Sequence, residues 1–117
     1  MSDNGLNKRQ AWFDWYYNKI AKRVAPEEKQ PGQAVRCPCC HCRTLSAREM
    51  YIICPICFWE DDGQDDADAD MIRGGPNDGL SLTAARQNYL QHGACDPKFL
   101  PNVRPPLPEE TDTEYSI

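Results

Sequence analysis

Two Cys-Pro-x-Cys turns, Cys37-Pro38-Cys39-Cys40 and Cys54-Pro55-Ile56-Cys57, constrain this chain more than any other feature. Thirteen residues separate Cys40 from Cys54. Two thiolates two residues apart on a tight turn grip one side of a metal ion, and a second such turn closes the tetrahedron. Four thiolates with no open position is the arrangement of structural zinc sites. The interval is a little shorter than the roughly 15–20 residues usual for paired C-x2-C sites, a difference that a short ribbon tolerates. The predicted ligands are therefore Cys37, Cys40, Cys54 and Cys57, with zinc as the cofactor. The competing reading, buried or free thiols, gives no reason for the pairing.

Cys39 and Cys42 make another C-x2-C in a second frame, with His41 between the candidates. The repeat of Cys-Pro-x-Cys in the second turn favours Cys37 and Cys40, and leaves Cys39 and Cys42 as spare thiols. The residue after the second Cys of such a knuckle is often Gly, which accepts a positive φ. Here His41 and Phe58 fill those places, which implies local strain or a different turn.

A core of roughly 70 residues is marginal on apolar burial alone, so a metal staple has a physical purpose in a chain of this size. The seven cysteines are odd in number and crowded. Lys8, Arg9 and Asp14 interrupt any leader-like apolar start, and no stretch approaches a membrane span. The expected compartment is the reducing cytoplasm, where metal binding prevails over disulfides. Net charge is −5, unevenly placed: residues 1–36 carry +3 and residues 37–117 carry −8. An acidic cysteine-rich segment argues against a nucleic-acid role, which needs a basic face.

Residues 1–7 are polar and expected to be disordered. Over 8–24 the pattern is helical, with Phe13, Tyr16, Tyr17, Ile20 and Val24 on one stripe and Trp12 and Trp15 widening it. That face either packs on the cysteine-rich domain or binds a partner through Trp12, Trp15 and Tyr16, since aromatics are enriched at interfaces. Residues 25–34 read as a linker. Short strands at 43–46 and 50–53 are expected to form a hairpin whose open end the zinc fastens. Phe58 and Trp59 should cap the metal site with apolar rings.

Seven acids then fall within residues 60–70. Asp66, Asp68 and Asp70 have an EF-hand-like start, but Met71 and Asn77 occupy the two diagnostic later places, so a specific calcium site is not expected. The segment is read as a solvated loop or as a docking surface offering Glu60, Asp61, Asp62, Asp65 and Asp66. Gly74 to Gly79 is a turn cluster that lacks a phosphate loop's Lys. Ser81 is an N-cap for a helix over 82–92, with Leu82, Ala85, Tyr89 and Leu90 inward and Gly93 as its stop. His92 is read as a partner for that helix's dipole, and Cys95 as a buried small residue. Phe99 and Leu100 should pack onto the core. Residues 101–108 are proline-rich and expected to be extended, and the acidic tail mobile.

Together these readings predict a small α+β fold, a zinc-stapled, zinc-ribbon-like β-hairpin with an N-terminal helix and one helix on the C-terminal side. The expected division is a helical extension and linker at 1–36, a cysteine-rich domain at 37–104 and a tail at 105–117.

Residues 37–108 resemble the small bacterial cysteine-rich proteins named for their Cys-Pro-Cys-Cys motif. The resemblance is carried by Cys37-Pro38-Cys39-Cys40, Thr44-Leu45-Ser46, the run from Tyr51 to Asp65, Gly75-Pro76-Asn77, Ser81-Leu82, Ala85-Arg86 and Gly93-Ala94-Cys95-Asp96. It implies zinc held through Cys37, Cys40, Cys54 and Cys57, and it brings no general catalytic activity. Cys42 departs from the family pattern, where an aromatic residue is more usual. The N-terminal aromatic helix lies outside the matched stretch.

Three functions follow as expectations. The first is a non-catalytic protein-interaction module, such as an immunity protein that neutralises a toxin with a basic surface, because complementary charge speeds encounter. The second is a nucleic-acid-associated zinc ribbon, whose basic face only the N-terminal helix could supply. The third is a thiol enzyme or redox sensor using Cys39, Cys42 or Cys95, which lacks the βαβ context of redox C-x2-C motifs. The acidic balance and the missing catalytic constellation favour the first.

Overall fold

A computed structural model of the chain describes residues 4–22, 33–112 and 115. In chain order it has helix α1 (Asn4–Lys19), strands β1 (Val35–Arg36) and β2 (Arg43–Leu45), helix α2 (Leu82–His92) and a one-turn helix α3 (Pro108–Thr111). Shorter 3-10 turns lie at Asp66–Asp68, Gly75–Asn77 and Pro97–Asn102. The α+β class holds, with a two-stranded antiparallel hairpin. No helix among the described residues is long and apolar enough to cross a membrane.

The hairpin is not the expected one. β1 and β2 pair across the first knuckle, with Val35 opposite Leu45 and Arg36 opposite Arg43. Residues 46–50 bend, and residues 50–53 give only one bridge, Ile53 to Glu60, across the second knuckle. Positive φ at Glu49 (+64°) and Tyr51 (+58°) breaks the extended run. The Glu49 N–H goes to the Asp61 carboxylate at 2.8 Å rather than to a facing strand. A side-chain acceptor has replaced the strand ladder at this turn.

Helix α1 begins earlier than its aromatic stripe indicates, so Gly5, Leu6 and Asn7 are helical rather than disordered. It ends where the N–H groups of Ile20 and Ala21 both turn onto the Tyr16 carbonyl, at 2.9 and 3.1 Å. Val24 and most of the predicted linker lie outside the described residues. The buried face is Trp12, Phe13 and Ile20, while Tyr16 is half-buried and Tyr17 exposed. The centre of the stripe is thus Trp12, because its indole Nε1 reaches the Cys40 carbonyl at 2.9 Å. A buried indole needs such a partner for its N–H.

Helix α2 has its predicted bounds. The Ser81 hydroxyl accepts from the Ala84 N–H at 3.0 Å, which satisfies one of the open amides of the first turn. Gly93 takes a left-handed φ of +97° and donates to the Tyr89 carbonyl. Leu82, Ala85 and Tyr89 are buried and Leu90 is half-buried. They meet Trp12 and Phe13 of α1, Leu45, Ile56, Trp59 and the cysteines in one hydrophobic core.

Residues 109–112 and 115 of the tail expected to be mobile are packed on the fold, and residues 113, 114, 116 and 117 lie outside the described residues. Pro97–Asn102 is a 3-10 turn, α3 follows, and the Thr111 side chain is buried. Arg36 holds this segment through its salt bridge to Asp112 at 2.6 Å and its bond to the Thr111 carbonyl at 3.0 Å. Tyr115 packs edge-on against Trp12 and Trp15. Phe99 sits on Phe58 with ring centroids 4.6 Å apart, whereas Leu100 is exposed, contrary to expectation.

Candidate metal centre

The two knuckles are built alike. In the first, Cys37 N–H donates to the Cys42 carbonyl and His41 N–H to the Cys37 carbonyl, both at 2.8 Å. In the second, Cys54 N–H donates to the Trp59 carbonyl at 3.0 Å and Phe58 N–H to the Cys54 carbonyl at 2.9 Å. Spacing, direction and register repeat. His41 and Phe58, the residues after each second Cys, have φ of +65° and +69°. The strain expected where Gly is absent is therefore present at both places. Stacking holds His41 in that conformation: its ring lies 4.0 Å from Tyr16 at an interplanar angle of 9°, and its Nε2 shares a 2.9 Å hydrogen bond with Tyr17 Oη.

This construction brings Cys37, Cys40, Cys54 and Cys57 together with all four Sγ atoms within 4.8 Å of one another. Cys37 and Cys57 are 3.6 Å apart at sulfur, and Cys40 and Cys54 are 3.7 Å apart. A tetrahedral zinc ion with Zn–S bonds of about 2.3 Å places its sulfurs about 3.8 Å from each other. These two separations are close to that figure and far exceed the roughly 2.05 Å of a disulfide. All four thiols are fully buried. Cys54 has further support from the Thr44 hydroxyl at 3.0 Å and the Ile56 N–H at 3.4 Å, donors that stabilise a thiolate.

Charge inside the cluster explains what it requires. Burial pushes the Cys37, Cys40 and Cys57 thiols well above their ordinary range. Burial acts on Cys54 in the same sense, but hydrogen bonds from Cys37, Cys40, Cys57 and Thr44 outweigh it and hold that thiol well below. A divalent cation removes the penalty for the others as well, because a coordinating thiol is deprotonated outright. The residues present fit a soft, tetrahedral metal ion.

The neighbouring groups close the site. Trp12 caps the Cys40 carbonyl. Cys95 N–H binds the Cys57 carbonyl at 2.7 Å, which ties the end of α2 to the second knuckle. Trp59 is wholly buried beside the cluster's core, and Phe58 is half-buried. Cys39, Cys42 and Cys95 are buried outside the four-thiol group. Burial raises the Cys95 thiol above its usual range, which makes it a poor nucleophile.

The residues predicted to bind a partner fall into two sets. Trp12 and Asp61 are interior, at 3% and 0% exposure, and offer no surface. Asp61 accepts from Arg48 Nε at 2.8 Å and from the Glu49 and Gly63 N–H groups at 2.8 and 3.1 Å. A carboxylate with that many donors is a structural anchor. Trp15 and Tyr16 are half-buried, Trp15 being stacked on Trp12 at 5.7 Å. Asp65 pairs with Arg48 and caps the 3-10 turn at Asp66–Asp68. Asp66 pairs with Arg86 at 2.7 Å, and Asp62 bonds the Gln64 N–H. Much of the acidic run is therefore answered within the chain.

The structural role of Arg36 was not visible in the sequence. Besides its bonds to Asp112 and Thr111 it donates to the His41 carbonyl at 2.9 Å and lies 5.5 and 5.9 Å from the Tyr16 and Trp12 ring centroids. No periodicity marks it, since its Asp112 partner is 76 positions away.

A family model described as cysteine-rich CPCC matches residues 35–110. Neither the curated proteins nor the solved structures include a significant match to the chain.

Proposed function

The chain belongs to the cysteine-rich CPCC family, and from that premise we propose that it is a non-catalytic module, stapled by zinc, that acts by binding another protein. The observation that carries the zinc reading is the buried set of four sulfurs within 4.8 Å of one another, two pairs of which stand 3.6 and 3.7 Å apart. Cys37, Cys40, Cys54 and Cys57 would hold the ion. Its contribution is to neutralise four thiolates and to fix two knuckles in one geometry. With four protein ligands no coordination position remains for water or substrate, which is the arrangement of structural rather than catalytic zinc.

The choice of a binding role rests on what the surface presents. The cysteine-rich part and the tail are both acidic, −4 over residues 37–104 and −4 over 105–117, which suits a basic protein partner. In our reading the biological setting is immunity, with the partner a toxin whose basic surface is covered in the complex. A thiol-redox role is disfavoured because Cys39, Cys42 and Cys95 are all buried.

Cobalt(II) titration of the metal-free protein tests the structural assignment. Four thiolates in a closed tetrahedron should give intense visible d–d absorption and full sulfur-to-cobalt charge transfer at one equivalent. Loss of one quarter of the charge-transfer intensity in Cys42→Ser, with Cys37→Ser unaffected, would show that the other frame supplies the ligand. A spectrum responsive to added azide would show an open position and contradict a purely structural metal.

A further inference from the structure

Five large apolar side chains stand exposed on two short segments that border one acidic segment, residues 60–64. Met50, Tyr51 and Ile53 are 65%, 59% and 43% exposed, and Met71 and Ile72 are 59% and 64% exposed. The first segment is fastened along residues 60–61 by the Tyr51 N–H to the Asp61 carbonyl at 3.0 Å and the Asp61 N–H to the Ile52 carbonyl at 3.1 Å. The second is fastened to residues 62–64 by Arg73 Nη1 to the Asp62 carbonyl and Gln64 Nε2 to the Met71 carbonyl, both at 2.7 Å. They converge over Gly63. A Cβ built there would meet Glu49 Cγ at 3.3 Å and Arg73 Nη1 at 3.4 Å. The side chains of Glu49 and Arg73 thus both reach over Gly63, one from each segment.

Apolar side chains scattered singly on a surface need no explanation, but a cluster of this kind marks an interaction site. The backbone beneath it is also unusual. Glu49 and Tyr51 both have left-handed φ without being glycine, and such conformations persist where the surrounding structure imposes them, often at functional surfaces. Here Asp61 imposes them, since its carboxylate holds the Glu49 N–H and its carbonyl the Tyr51 N–H. The buried acid is therefore the support of the exposed face. The methionines give that face adaptable packing.

We propose that Met50, Tyr51, Ile53, Met71 and Ile72 form the docking face for a protein partner whose contact surface has an apolar centre flanked by Lys or Arg. This rests on the protein-binding reading above and moves the interface away from the aromatic helix. Charge selects the partner. Glu49 and Glu60 border the patch beside Arg48 and Arg73; those arginines are answered by Asp61, Asp65 and Asp68, whereas neither glutamate enters an ion pair with an arginine of the described residues. A second copy of this chain would bring the same carboxylates face to face, which disfavours a symmetric dimer here.

The test is a peptide-display selection on the metal-loaded full chain, followed by calorimetry with the enriched synthetic peptide. Enriched sequences should join Lys or Arg to Leu, Phe or Trp. The double variant Met50→Ser/Ile72→Ser should weaken Kd at least about tenfold while its melting curve stays unchanged, as expected for a central apolar contact. Glu49→Gln/Glu60→Gln should weaken binding and reduce its dependence on salt. Undiminished affinity in both variants would overturn this face and leave the protein-binding role standing. Enrichment of acidic peptides would overturn the charge argument, and a concentration-dependent dimer abolished by Met50→Ser/Ile72→Ser would make a second copy the occupant. Failure to enrich any peptide would count against the protein-binding role itself.

Discussion

Asp61 and His41 show how far single buried residues govern this molecule. Asp61 is wholly buried and answers Arg48 and two backbone N–H groups. Asp61→Ala strands those donors, and chemical denaturation should register a loss of about 3 kcal/mol or more. A loss below about 1 kcal/mol would mean that the acid is dispensable. Burial, reinforced by the charges of Arg86 and Arg36, holds the His41 imidazole neutral with its folded pKa well below the ordinary value. The unfolded chain then takes up a proton first as pH falls. The stability that His41 contributes is complete above about pH 6.5, the unfolded value, and is lost as pH drops from there toward the depressed folded value. His41→Asn keeps a residue tolerant of positive φ and should flatten that part of the pH–stability curve. An unchanged slope would contradict a buried neutral ring. The grouping of Cys37, Cys40, Cys54 and Cys57 was legible in the sequence because knuckle spacing is a local signal. The interior places of Trp12 and Asp61 were not, since each is decided by a polar partner far along the chain, Cys40 for one and Arg48 for the other.

At the scale of elements, the legible parts are those whose signals are local. Helix α2 could be read with its ends because Ser81 and Gly93 cap it by contacts within a turn. Ser81→Ala should cost about 1 kcal/mol in a denaturant melt. The hairpin was misplaced because alternation and β-propensity around residues 43–53 do not reveal that Asp61 captures the intervening turn. Helix α3 and the placement of Asp112 were hidden for a similar reason, as Arg36 binds Thr111 and Asp112 across most of the chain. Arg36→Lys keeps the charge but cannot serve Asp112, Thr111 and His41 with one planar fork. It should destabilise the fold by about 1–3 kcal/mol and increase protease cleavage after residue 104. Equal resistance in the variant would mean that the tail is held by Tyr115 and its aromatic neighbours instead. Trp15→Ala, which removes the ring stacked on Trp12, should lower the stability of the isolated chain by about 1 kcal/mol and leave partner affinity unchanged.

For the whole molecule the four-cysteine cluster joins parts that otherwise share little regular structure. Among the described residues the sheet has two short strands, and α1, the knuckles and α2 meet in a core to which six buried cysteines contribute besides Cys95. Without a cation that core contains four crowded sulfurs whose thiolates burial disfavours. Structural zinc contributes roughly 10–16 kcal/mol in small zinc-binding peptides at neutral pH, as much as or more than the 5–15 kcal/mol that separates a typical domain from its unfolded state. Metal binding and folding should therefore be one event. The most direct measurement is elemental analysis of the purified protein combined with thermal melts in buffer and in excess chelator. The account predicts one zinc per chain, loss of the cooperative melt in chelator, and loss of both metal and melt in Cys54→Ser. Metal-free protein that still unfolds cooperatively at the same temperature in chelator would contradict it.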